Sequence, residues 1–191
     1  ETVKEYWAAG RFMGLYPAKG TLLCLAGMPV EKMPENKKHP EVEFLRKHFG
    51  DLGSEAVKIF EKMGEKESVF FWAFNDLRQR EWYKGRVVLL GDASSAILPT
   101  AGIGTTCAME SAAVLADELR RVDRLSVERA LELYVKRRFP RVDKMQKESR
   151  FLAKIIFVKS PVGAWVRNKV VKFYPAEKFF DSLLRLLREP L

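Results

Sequence analysis

Residues 85–113 leave this chain few ways to fold. Arg86-Val87-Val88-Leu89-Leu90 is a continuous apolar run of the kind found in a strand buried on both faces. Gly91-Asp92 stands at its carboxyl end, the edge at which ligands of open α/β sheets bind. A loop through Pro99 then feeds a helix from about Ile103 to Arg121, with Gly102 and Gly104 in its first turn and Ala108, Ala112, Ala113 and Ala116 permitting close packing. Glycines at a helix start leave backbone N–H groups uncovered, and the helix dipole places partial positive charge there. An aspartate beside such an opening suits a ligand with hydroxyls and an electron-rich or anionic edge. The same residues admit a plainer reading, in which Asp92 caps the turn and the glycines allow tight packing.

The flanks organise around this segment. Residues 11–16 and 21–26 read as two short strands, with Pro17, Lys19 and Gly20 suiting the hairpin turn. Residues 28–40 hold three prolines and read as a loop. Two amphipathic helices follow, over 41–49 and 54–63, closed by Gly50 and Gly64. Residues 67–74 are expected to form an aromatic-rich strand whose alternation packs about half of Phe70, Phe71, Trp72 and Phe74, the others being free to line an apolar pocket. Trp82 reads as a packing residue. Everything after Ser126 reads as helix, broken near Pro140, Pro161 and Pro175.

Composition removes several alternatives. With 191 residues, 47% of them apolar and 12% aromatic, the chain has material for a folded domain rather than a disordered one. No apolar run is long enough to span a membrane. Cys24 and Cys107 are too isolated for a disulfide scaffold or a zinc site, and His39 and His48 lack metal-ligand spacing, so no metal is expected. Ser94 and Ser95 lack the G-x-S-x-G context of a nucleophile, which argues against a hydrolase. No secretory signal opens the chain, which points to the cytoplasm, and Glu1 in place of Met points to a piece of something longer. Charge is uneven: residues 1–119 carry 15 Lys+Arg against 17 Asp+Glu, and residues 120–191 carry 19 against 8. A basic half of this kind meets nucleic acid, an anionic membrane or an acidic partner. Its cations are dispersed along helices without a binding motif, so no nucleic-acid role is expected.

Gly85-Arg86-Val87-Val88-Leu89-Leu90-Gly91-Asp92-Ala93, then Pro99-Thr100-Ala101-Gly102-Ile103-Gly104, then Glu110-Ser111-Ala112 resembles the second FAD-binding motif of the flavoprotein aromatic hydroxylases, the family of para-hydroxybenzoate hydroxylase. That motif runs G-R-V-x-L-x-G-D-A-A-H, P-x-x-G-x-G and E-D-A. Ser95 stands where the family often has His, and Ser111 where it often has Asp. The resemblance implies a cofactor site made of Gly91, Asp92, Pro99, Ala101, Gly102, Ile103, Gly104 and Thr105. Asp92 would hold the ribityl hydroxyls of FAD, Pro99 would lie beside the isoalloxazine, and the amides from Gly102 to Thr105 would face its N1–C2=O edge. It implies an NAD(P)H-using monooxygenase in which oxygen adds at flavin C4a and the hydroperoxide oxygenates an aromatic or apolar organic substrate. No catalytic acid or base is marked.

The fold class implied is α/β, α+β within this piece. Residues 1–84 would be the remainder of a substrate-binding sheet domain, 85–125 the second half of a Rossmann-like FAD domain, and 126–191 a helical C-terminal region. The family begins with a β-α-β unit carrying G-x-G-x-x-G, which this sequence lacks. The expectation is therefore a C-terminal half that needs an N-terminal half, in the same or a separate chain. Alternatives are a flavin-dependent reductase or halogenase, and a non-catalytic basic module. For the latter, Phe179, Phe180, Leu183, Leu184, Leu186 and Leu187 make 176–191 a candidate peripheral membrane contact, with apolar residues of 151–174 such as Trp165 and Phe173 adding to it; packing on the protein is the competing reading.

Overall fold

A tight turn sets the first sheet. Lys19 and Gly20 both have positive φ, 37° and 81°, which matches the twist of the strands they join. The computed structural model describes residues 2–29, 42–64, 69–173 and 181–190. Strands β1 (Lys4–Ala8), β2 (Arg11–Ala18) and β3 (Thr21–Gly27) form an antiparallel sheet in that order, with Ala18 opposite Thr21 and Phe12 opposite Gly27. The expected hairpin is present, and β1 joins it through a turn at Gly10. Pro17 lies inside β2 rather than in the turn. It is tolerated because β1 pairs with β2 only as far as Leu15, so the missing N–H interrupts no ladder on that side.

The chain forms two compact units, Glu1–Ala73 with Lys154–Phe173, and Phe74–Ala153 with Tyr174–Leu191. In the first, Met13 and Leu15 turn one face of β2 inward against Leu45 and Phe49 of α1 (Val42–Phe49) and Ala56 and Phe60 of α2 (Ser54–Lys62). Helix α6 (Pro161–Phe173) is tied to this unit by Arg167. The Arg167 guanidinium donates to the carbonyls of Ile155 (3.1 Å), Ile156 (2.8 Å), Trp7 (3.1 Å) and Ala8 (3.4 Å), and lies 5.7 Å from the centre of the Trp7 ring. Burial lowers its pKa, and the four carbonyls offset the cost of placing a charge there.

The aromatic strand expected over 67–74 is absent from 69–74, the part that is described. That segment is irregular, and Phe70 (77%), Trp72 (64%) and Phe74 (60%) are exposed. A strand is stable only when its ladder groups are paired, and no described residue pairs with this one.

The second unit begins with a minimal hairpin, β4 (Tyr83–Lys84) with β5 (Val87–Val88). The strand expected to be buried on both faces is thus short and open here, with Val87 69% and Leu90 37% exposed. After α3 (Asp92–Ser95) and a 3-10 turn (Pro99–Ala101) come α4 (Gly104–Arg120), the long α5 (Val127–Ile156) and α7 (Asp181–Arg188). Pro140 does not break α5, contrary to expectation. An interior proline costs about 3 kcal/mol, but Tyr134, Arg138, Arg141, Val142 and Met145 are all buried around it, and their packing holds the helix through that position. Pro161 opens α6, and Pro175 lies outside the described residues.

The core of this unit joins Trp82, Ile103, Cys107, Val114, Tyr134, Val142, Met145 and Leu186. Trp82 is 2% exposed and its ring packs 6.1 Å from Tyr134 and 5.5 Å from Phe139, the packing role expected of it. Leu186 (4% exposed) and its neighbour Leu187 turn α7 toward this core, so part of the tail's apolar spacing is used in packing. Phe179 and Phe180 lie outside the described residues, as does the side chain of Leu183. No helix among the described residues is long and apolar enough to cross a membrane.

Candidate functional site

The eight residues singled out from sequence lie on one stretch of the second unit, Gly91 to Thr105. Gly91 has φ 60° and ψ −136°, a conformation that strains any residue with a side chain. A Cβ at Gly91 would lie 3.7 Å from the Cβ of Ala108, so the backbone here runs close against α4. Asp92 is the first residue of α3. The backbone amides of Ser94 and Ser95 bond to the Gly91 carbonyl, and no side chain caps the helix. Asp92 is exposed and makes no hydrogen bond or ion pair among the described residues. It therefore does not do the capping work that the plainer reading assigned to it.

The start of α4 is equally open. Gly102 sits in the left-handed region at φ 65°, Ile103 is the N-cap residue, and no side chain caps this end either. A Cβ built on Gly102 or on Gly104 would meet nothing within 4 Å. No crowding among the described residues calls for these glycines, and the space over the uncapped amides of the first turn is open. Pro99, Gly102 and Thr105 are exposed, Ala101 and Gly104 are half-buried, and the Ile103 side chain is buried in the core. At Ile103 only the backbone is available to a ligand.

The supporting residues escaped the sequence reading because they come from α5, far along the chain. Gln146 donates from Nε2 to the carbonyls of Leu77 (2.7 Å) and Ala96 (3.0 Å), and Thr100 donates from Oγ1 to the Ser149 carbonyl (2.6 Å). Beneath α4, Arg138 is 1% exposed and donates to Ser111 Oγ (3.2 Å), the Cys107 carbonyl (3.3 Å) and Glu110 (3.1 Å). Arg141 makes a two-pronged pair with the same Glu110, at 2.9 and 2.7 Å. Burial alone would raise the Glu110 pKa, but Arg141 and Arg138 outweigh it and hold the carboxyl below the usual range. Burial pushes the Cys107 thiol up, so it packs as a neutral group. Ser111, which stands where a carboxylate was expected by resemblance, donates to the Cys107 carbonyl (2.8 Å) and accepts from Arg138.

The chain has relatives among known proteins. The chain is 25% identical over 178 residues to the 2-heptyl-3-hydroxy-4(1H)-quinolone synthase of Pseudomonas aeruginosa, covering 92% of this chain and 46% of that one. It is 45% identical over 80 residues to the salicyloyl-CoA 5-hydroxylase of a Streptomyces species, covering 41% of this chain and 15% of that one. In fold it matches Klebsiella pneumoniae HpxO, solved with FAD and uric acid, at a TM-score of 0.82 and 20% identity over 97% of this chain and 48% of that one. The chain spans about half the length of HpxO and of the quinolone synthase. Residues 6–149 match the FAD binding domain family. The chain belongs to that family, and the proteins it is similar to include flavin-dependent monooxygenases and a hydroxylase.

Proposed function

We propose that this chain contributes one side of the flavin site of an FAD-dependent, NAD(P)H-using monooxygenase. The observation that carries the reading is the pairing of two open features on one short stretch, the unpartnered carboxylate of Asp92 and the uncapped, glycine-cleared start of α4. FAD, when bound, supplies the redox chemistry that activates dioxygen. Asp92 would accept hydrogen bonds from the ribityl hydroxyls, with Gly91 bringing the backbone close. Pro99 and Ala101 would border the ring system with rigid, apolar surface. The amides from Gly102 through Ile103 and Gly104 to Thr105 would face the N1–C2=O edge, where oriented N–H groups and the helix dipole favour the negative charge of the reduced ring. Their use lies in being fixed before that charge appears, because Thr100, Gln146 (through the Ala96 carbonyl) and Arg138 anchor the loop and the first turns of α4 to α5.

The substrate class is an aromatic or apolar organic molecule. The quinolone synthase and the salicyloyl-CoA hydroxylase are named for ring compounds, and the solved relatives include one with uric acid and one with 2-aminobenzoylacetate. The remaining half of the enzyme, in the same or a separate polypeptide, would cover Val87 and Leu90 and supply the rest of the cofactor site.

The test is a visible absorption spectrum of the chain, alone and with its companion half, before and after excess FAD and desalting. Flavin bands that persist in the assembled wild type and fade in Asp92→Asn support the reading. A colourless assembly, or one in which Asp92→Asn and Gly102→Ala bind FAD as wild type does, overturns it.

A further inference from the structure

From Ser149 to Ala176 the sequence carries Arg150, Lys154, Lys159, Arg167, Lys169 and Lys172 and no aspartate or glutamate. Helix α6 lies in this stretch and turns only Ala164 and Arg167 fully inward. On its other side Val162, Trp165, Val166, Val170 and Phe173 recur at intervals of three and four residues, which places them on one face. That face points outward, with exposures of 72%, 63%, 47%, 57% and 81%. The arrangement is the inverse of a helix packed on a core, where the apolar stripe is the hidden one. Lys172 is exposed at the edge of the stripe, and Lys169 is exposed within it, its ammonium 5.7 Å from the centre of the Trp165 ring. The carboxylates that share a groove with α6 are already engaged. Glu5 accepts from Tyr16 and Trp7, and Asp51 holds Arg11 through two bonds of 2.8 Å.

We propose that α6 docks on an anionic lipid surface, its valines, Trp165 and Phe173 entering the headgroup boundary while Lys169 and Lys172 meet the lipid charge. An apolar face carrying Trp and Phe, with one lysine at its edge and one within it whose long stem lets the ammonium reach the headgroups, suits a helix that lies in a membrane interface. Charge selects this occupant over a second copy of the chain, because a two-fold contact would set the lysine-bearing stripe against itself. It also moves the membrane contact away from the tail. Helix α7 has the stronger apolar periodicity, but Leu186 spends it on the core. The proposal stands independently of the flavin site.

The experiment is co-sedimentation of the full chain with vesicles of phosphatidylcholine alone and of equal parts phosphatidylcholine and phosphatidylserine. Binding is expected on the anionic vesicles only, and high salt should release it. Replacing Lys169 and Lys172 by Gln should weaken it roughly fivefold per lysine, and Trp165→Ala with Phe173→Ala should abolish it. The tail pair Arg185→Gln with Arg188→Gln should leave it largely unchanged. All these side chains are exposed, and circular dichroism of each variant separates lost binding from lost fold. Absence of binding, equal binding to both vesicles, or loss only in the tail variant overturns the proposal. So does a concentration-dependent dimer in sedimentation velocity that Val166→Lys breaks, since the stripe would then belong to a second copy.

Discussion

Asp92 and Gly104 illustrate how differently a single position weighs on stability and on binding. The exposed Asp92 side chain makes no hydrogen bond or ion pair among the described residues, so Asp92→Asn should change the unfolding free energy by no more than about 0.5 kcal/mol. Charge-assisted hydrogen bonds contribute about 1.5–3 kcal/mol each, so the same change should weaken FAD binding roughly ten- to a hundredfold in a flavin titration of the assembled enzyme. Gly104→Ala separates the two quantities further. Alanine is the better helix former by up to about 1 kcal/mol, and its methyl group would enter open space. The variant should melt at the same or higher temperature while binding FAD less tightly; a melt and a titration on one sample decide it. At this scale the sequence was most legible, because Gly and Asp carry conformational and chemical information that needs no distant partner. Ile103 was legible only in part: its backbone borders the proposed site, but its side chain is core.

Between α4 and α5 the decisive contacts are ionic and buried. Removing one partner of a buried charge pair costs about 3–5 kcal/mol. Arg138→Ala should fall at the lower end of that range in urea denaturation, because Glu110 keeps Arg141. Glu110 also dictates a pH dependence. Its folded-state pKa is depressed, so its contribution is present above the ordinary glutamate range and is lost as pH falls through that range toward the lower folded value. Wild type should therefore lose stability on acidification below about pH 4.5 more steeply than Glu110→Gln, and urea midpoints measured across that interval check it. None of this was readable beforehand, since Arg138, Arg141 and Gln146 look like the solvated face of any basic helix until α5 is placed. Pro140 misled for the same reason, as local propensity argued for a break and tertiary packing overrode it. The strand expected at 67–74 failed in the opposite direction: its residues favour a strand, but a strand requires a neighbour.

As a whole the molecule spans about half the length of HpxO and of the quinolone synthase, and part of its open apolar surface lies on the strand that leads to Gly91-Asp92. Val87, 69% exposed on that strand, is the sharpest instance. Val87→Glu should leave the isolated chain's melting temperature nearly unchanged but abolish its assembly with the companion half, read by gel filtration of the mixture. The broad architecture was legible from the order of its patterns, and the family from one motif. How the segments divide into units was not, because the first unit is discontinuous in sequence. Its sheet is complete by Gly27, yet Arg167, which binds the carbonyls at the end of β1, is encoded far downstream. Of the intervening stretch, residues 74–153 belong to the other unit. At ribosomal rates of about 5–20 residues per second, the nascent sheet waits on the order of 7–28 s for Arg167 and its closing helix. During that interval β1 and its neighbours are available to any chaperone at the exit tunnel, and residues 74–153 have time to begin folding, although their unit in turn waits for Leu186 of α7.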